Sequence, residues 1–178
     1  MRTLQERGLV AALTDDPVRS AEEPARTARR WLLRALILAV AAAVVVADQV
    51  TKSLAVTYLP EHDVHLFASV YLKLQFNSGA AFSLFQGAGF WIIVIGIVLV
   101  CVLVAASRWV RGRIGSVAIG LVLGGALGNL ADRVFRGNHG AVIDFIYTRY
   151  WPTFNLADAC IVVGAVMLLL TSWRRPAR

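Results

Sequence analysis

The stretch Gly124-Gly125-Ala126-Leu127-Gly128-Asn129-Leu130-Ala131-Asp132-Arg133-Val134 decides how this chain is read. It closes an apolar segment. A polar loop follows, holding Val142-Ile143-Asp144-Phe145-Ile146, and Phe154-Asn155-Leu156-Ala157-Asp158-Ala159 opens the next apolar segment. Asn-Leu-Ala-Asp therefore occurs at 129–132 and again at 155–158. Asn and Asp three apart share one face of a helix. If the flanking segments are antiparallel membrane helices, both copies lie at the same membrane surface, with Asp144 in the loop between them. Ionisable groups at a membrane are costly and usually functional, so these carboxylates need a reason.

Outward from that stretch, the composition is that of a small integral membrane protein. Of the 178 residues 58% are hydrophobic and 16% charged, and the mean hydropathy is +0.65. An ordinary soluble domain is less apolar. The net charge is +7. Its basic residues flank apolar segments and form no single basic face, which is a topology pattern; no nucleic-acid partner is expected. Cys101 and Cys160 lie inside apolar segments and read as small packing residues, not a disulfide.

Periodicity divides the chain into an all-α membrane fold: four transmembrane helices with a small extracytoplasmic β-structure between the first two. Residues 1–29 read as a mobile cytoplasmic tail, with an amphipathic surface helix as the alternative. Helices are expected at about 31–52, 88–107, 113–134 and 154–173, and 175–178 as a second cytoplasmic tail. A cleaved leader ending near Ala47 is disfavoured by the long charged segment before it. From Val64 to Phe76 every even position is apolar, and period two means strand. A β-cradle over about 60–82 follows, with a bend near Ala68–Ser69. His62, Asp63 and His65 read as solvated loop residues, and no metal site is expected. Gly120, Gly124 and Gly128 form a small-xxx-small series suited to close helix packing.

Charge then orients the helices. Arg108, Arg111 and Arg113 lie between the second and third, and Arg174, Arg175 and Arg178 follow the fourth. With the basic N-terminal segment they put both termini in the cytoplasm. Asp48, Lys52, Asn77, Asn129, Asp132, Arg133, Asp144, Asn155 and Asp158 then converge at the outer surface. Some have bland roles. Asp48 and Lys52 are i, i+4, and spacing alone reads them as a solvated interfacial ion pair. Asn155 suits a helix cap, with Asp158 favoured in the first turn by the helix dipole. Asp132 can pair with Arg133 or another cation. Asp144 sits in an apolar run, where burial raises a carboxyl pKa. No Ser-His-Asp set, Cys-His pair or phosphate-binding glycine loop is present. Chemistry here falls most naturally to two carboxylates sharing a proton.

At this point the chain resembles the bacterial lipoprotein signal peptidases, the type II signal peptidases. The residues that carry the resemblance are Asp48-Gln49-Val50-Thr51-Lys52, Asn77-Ser78-Gly79-Ala80-Ala81-Phe82, Gly124–Arg133, Val142–Phe145 and Phe154–Ala159, in the family order. The resemblance implies an aspartic endopeptidase of the bacterial cytoplasmic membrane. It puts a catalytic dyad on Asp144 and Asp158. Asp48, Lys52, Asn77, Gly79, Asn129, Asp132, Arg133 and Asn155 would bind substrate or support the site. The implied substrate is a preprolipoprotein carrying diacylglycerol on its lipobox cysteine, cut just before that cysteine. Membrane lipids and globomycin-type peptide inhibitors are implied partners, with a monomeric enzyme and no cofactor. The rivals are an ion pathway through Asp132, Asp144 and Asp158, and a structural scaffold. A presenilin-type protease is disfavoured because no aspartate falls in mid-membrane.

Overall fold

The computed structural model describes residues 17–79, 88–110 and 112–173. The first sixteen residues, Ala80-Ala81-Phe82 of the Asn77 block, Arg111 and the 175–178 tail lie outside the described residues.

Helix α1 runs Pro17–Tyr58, 42 residues. It begins within the segment expected as a tail and carries Pro24 in its interior; from Arg26 onward no helix breaker interrupts the run into the apolar stretch. Helices α2 (Ala88–Ser107), α3 (Arg113–Phe135) and α4 (Leu156–Trp173) follow. Three stretches, Arg26–Tyr58, Phe90–Ser107 and Arg113–Phe135, are long and apolar enough to cross a membrane; the apolar part of α4, Leu156–Thr171, is shorter. Apolar helices of this length mark a membrane protein.

The centre of the helical part is α3. More than half of its apolar window, 56%, is buried inside the protein, against none for α2. Ile37 and Ala41 of α1 meet Ile119 and Leu123 of α3, flanked by Val100 and Leu103 of α2 and Leu168 of α4. Glycine allows the close approach. A β-carbon at Gly124 would stand 2.7 Å from both the Ala41 carbonyl oxygen and the Val44 β-carbon. In lipid, such van der Waals contact replaces the hydrophobic drive of soluble cores.

Four antiparallel strands form one sheet in the order β1-β2-β3-β4: β1 Val64–Phe67, β2 Val70–Asn77, β3 Val142–Thr148 and β4 Trp151–Phe154. The first hairpin matches the alternation, turning at Ala68, whose φ is +45°. The expectation that the β-structure lies only between the first two helices is corrected: β3 and β4 come from the segment between α3 and α4. Asp144 is thus on a strand, not in a loop, paired across from Gln75. The run Val142–Phe145 is buried on both faces, so it carries no alternation to read. Leu72 and Leu74 pack with Ile146 onto Ala55, Leu59 and Phe145, docking the sheet on the end of α1. The apolar stripe of the hairpin is therefore divided. Leu72 and Leu74 turn to the protein, while Val64, Leu66 and Phe76 are exposed.

Candidate active site

The C-terminal part of α1, the end of α3, strand β3 and the start of α4 meet at one end of the helices. Each brings polar side chains that the interior must satisfy by pairing, because an unpaired charge there costs several kcal/mol. From α1 come Asp48, Gln49 and Lys52, from α3 come Asn129, Asp132 and Arg133, and Arg136 stands at the C-terminal cap of α3.

Lys52 is fully buried, as are Asp48 and Asp132. Spacing alone read Asp48 and Lys52 as a solvated pair; the sheet and α4 close over them instead. The ammonium lies 2.9 Å from Asp48 Oδ2 and 2.8 Å from Asp132 Oδ2. It also donates to Asn129 Oδ1 at 2.9 Å. A lysine has three N–H groups, and all three are used. Asp132 does not take Arg133 as its cation. Arg136 Nε stands 3.1 Å from Asp132 Oδ1, while Arg133 donates to the Gly140 carbonyl at 2.8 Å. Gln49 Nε2 donates to Asp132 Oδ1 at 2.9 Å and to the Gly128 carbonyl at 3.1 Å. The inner cluster is thus charge-neutral, with Asp48 and Asp132 against Lys52 and Arg136. Gly128 leaves room for it: a β-carbon there would stand 2.6 Å from Asp48 Oδ2.

Asp144 and Asp158 are held differently. Asp144 is 2% exposed. Its Oδ1 accepts from Asn155 Nδ2 at 2.7 Å and its Oδ2 from Asn77 Nδ2 at 3.0 Å. Asn77 is oriented by the backbone N–H of Gly79, which donates to its Oδ1 at 2.9 Å. Asp158 is partly exposed. Its Oδ1 accepts from Asn129 Nδ2 at 2.8 Å and its Oδ2 from the Asn155 backbone N–H at 3.2 Å. Asn155 Oδ1 in turn accepts the Asp158 N–H at 2.9 Å. This reciprocal pair is a capping box at the start of α4. The capping role expected for Asn155 therefore holds, and it also fixes the Asp158 carboxylate. Asn155 is fully buried and its amide reaches both aspartates' surroundings, donating to Asn129 Oδ1 at 3.1 Å as well.

Neither Asp144 nor Asp158 enters any ion pair among the described residues. Burial holds the Asp144 carboxyl above the ordinary carboxylate range, outweighing the amide hydrogen bonds from Asn77 and Asn155, and the nearby Asp158 charge pushes it the same way. The Lys52 charge opposes that rise, and the Arg133 guanidinium feels both carboxylates, yet the hydrogen bonds that hold Asp144 and Asp158 all come from neutral amides. No metal-holding cluster of His, Cys, Asp or Glu exists among the described residues.

Sequence reasoning missed Gln49 as a bridging amide and Arg136 as the second cation. Arg136 carried a readable signal, since it stands i+4 from Asp132. It also ties α3 back to α1, donating to the Gln49 carbonyl at 2.9 Å and to Ser53 Oγ at 3.0 Å. Gln49 carried none, for a polar residue near a helix end is ordinarily solvated.

Apolar helices that converge on an acid-rich end define a membrane enzyme, and solved structures agree. A bacterial membrane enzyme determined by the in meso method superposes with a TM-score of 0.72 at 28% identity, covering 79% of this chain and 94% of that one. A model of the signal peptidase (SPase) II family matches residues 40–174. The lipoprotein signal peptidase of Rhodococcus jostii is 39% identical over 161 residues, 88% of this chain and 80% of that protein. That of Mycolicibacterium smegmatis is 41% identical over 182 residues, 96% of this chain and 73% of that protein. The chain belongs to the signal peptidase II family and is an aspartic peptidase.

Proposed function

We propose that this chain removes the signal peptide from diacylglyceryl-modified preprolipoproteins, cutting before the lipobox cysteine, with Asp144 and Asp158 as the catalytic pair. The enzyme crosses the bacterial cytoplasmic membrane with α1–α4, keeps both termini in the cytoplasm and works as a monomer at the outer surface. The name its relatives carry, lipoprotein signal peptidase, supports the substrate class. One observation carries the assignment: of the acids gathered at this end, Asp48 and Asp132 have cations, and Asp144 and Asp158 have only amides. An acid tied to a buried cation is engaged in holding the frame. An amide-held pair can pass a proton.

One aspartate takes a proton from water as general base. The other, protonated, donates to the scissile carbonyl and stabilises the oxyanion as it forms. The pair titrates jointly, so the proton belongs to the pair. Asn77, Asn129 and Asn155 hold the four carboxylate oxygens in place, together with the Asn155 backbone, and no cofactor takes part. Asp48, Lys52, Asp132, Gly79 and Arg133 support that frame. A surface site suits a lipid-bearing substrate, because acyl chains and signal helix stay in lipid while the scissile bond meets water. The ion-pathway reading lacks a route. Apart from Ser116, whose hydroxyl bonds the Gly112 carbonyl, the buried polar side chains among the described residues all belong to this one end.

The test is cleavage of a diacylglyceryl-modified preprolipoprotein by purified protein, beside Asp144→Asn and Asp158→Asn, with a globomycin arm. Wild type should cut before the modified cysteine and be blocked by globomycin. Each variant should fold and lose about a thousandfold or more in kcat. An inert wild type on verified substrate sinks the proposal.

A further inference from the structure

Each aspartate of the proposed pair stands one residue after a backbone N–H that is itself captured. The Ile143 N–H donates to Asp132 Oδ2 at 3.1 Å. The Ala157 N–H donates to Asp48 Oδ1 at 3.0 Å. Asp48 and Asp132 come from different helices, and Lys52 Nζ bridges them at 2.9 and 2.8 Å. Its third proton goes to Asn129 Oδ1, and Asn129 Nδ2 donates to Asp158 Oδ1. Three short routes thus start from one nitrogen. One ends on the backbone before Asp144, one on the backbone before Asp158, and one on the Asp158 carboxylate.

We infer that Lys52 is a positioning residue, whose ammonium sets the separation and orientation of Asp144 and Asp158 by tying together the two carboxylates that hold their backbones. This rests on the proposed role of that pair. A stabilising role alone does not account for the arrangement. Buried ion pairs add little net stability over well-packed apolar side chains. Asp132 already has Arg136 and Gln49, so its charge does not require Lys52. Besides the counter-charge to Asp48, the lysine provides a tetrahedral donor placed between α1, α3, β3 and α4.

Two variants test this. Lys52→Met removes the bridge and leaves a buried acid uncompensated, so it carries a risk of misfolding. Asp48→Asn/Lys52→Met removes one charge of each sign, leaves Asp132 to Arg136, and keeps an oxygen able to accept the Ala157 N–H. Folded sites are counted by binding of labelled globomycin, and kcat is expressed per site. A displacement of about 1 Å in a reacting group costs on the order of a hundredfold in rate. The double variant should therefore lose roughly a hundredfold in kcat per site while KM stays within about threefold. Lys73→Met, from the exposed pair with Asp63, is the control and should match wild type. If the double variant keeps kcat per site within about twofold, and its loss is only of folded sites, the positioning role is overturned. An Asp144→Asn arm separates the two claims. If that variant also cuts, the catalytic pair is wrong. If it is dead while the double variant is active, only the role of Lys52 falls.

Discussion

Asp48 and Asp132 on one side, and Asp144 and Asp158 on the other, are the same residue type in adjoining parts of one small protein, yet the chain satisfies them by opposite means. The first two are buried against Lys52 and Arg136. The second two receive hydrogen bonds from amides alone. A cation fixes a carboxylate in its ionised state. A neutral amide orients it without choosing that state. Position in a membrane protein does not by itself mark an acid as reactive; on the proposed reading, the nature of its donors separates the framework from the chemistry.

The difference can be broken from either side. The largest effect is expected at Asp144 or Asp158, where Asn replacement should remove about a thousandfold or more of the cleavage rate and leave the fold in place. A rate loss that follows the amount of folded protein would erase the distinction. Next, Asp132→Ala should lower stability, and kcat with it, because Asp132 also holds the Ile143 N–H before Asp144. It takes the carboxylate from Arg136, leaves Lys52 with Asp48 as its remaining carboxylate, and frees the Ile143 N–H, at a cost of about 3–5 kcal/mol, read as lowered resistance to unfolding in detergent. An Asp132→Ala protein as stable as wild type would mean that the inner cluster is not a framework. Asn155→Ala should sit between the classes. Loss of the cap costs about 1 kcal/mol, and kcat should fall by about tenfold to a hundredfold because Asp144 loses a donor and Asn129, which holds Asp158, loses another. Cleavage kinetics together with thermal melts separate the two contributions.

The smallest effect is in pH dependence, and it sharpens the contrast. Burial raises the Asp144 carboxyl above its ordinary value of 3.8. The folded state then holds that proton more tightly than the unfolded chain. This contribution to stability is complete below 3.8 and is lost as pH rises through the raised value. Asp144→Asn cannot lose it, so the Tm of wild type relative to the variant should decline as pH increases above 4, by a few degrees. Melts whose difference is flat across that range would show that Asp144 is not strained by burial.

The apolar helices and the first hairpin were readable because their signals are local. Period two over 64–76 needs no knowledge of the rest of the chain. The strand carrying Asp144 was not readable in that way. Its partner Gln75 lies far back in the sequence, and a strand buried on both faces has no alternation. The gathering of acids and amides at one end was legible, and the family resemblance added the proposal that Asp144 and Asp158 act together. The division of the acids by counterion was hidden. It depends on Lys52 being sealed beneath the sheet and on Arg136 reaching Asp132, and both follow from tertiary packing. The start of α1 at Pro17 was not legible either, since charge content and Pro24 both argued against a helix there.

Asn155 closes the start of α4, orients Asp158 through its backbone and side chain, and donates to Asp144 and Asn129. Four tasks rest on one short amide, and a genetic experiment would see that directly. Glutamine, one methylene longer, cannot reach from the same cap, and serine, with one hydroxyl proton, cannot cap and also donate to both Asp144 and Asn129. A damaged copy at 155 should therefore be repaired in a selection only by regaining asparagine itself. Losses at Arg136, which shares Asp132 with Lys52 and Gln49, should instead yield suppressors scattered among their neighbours.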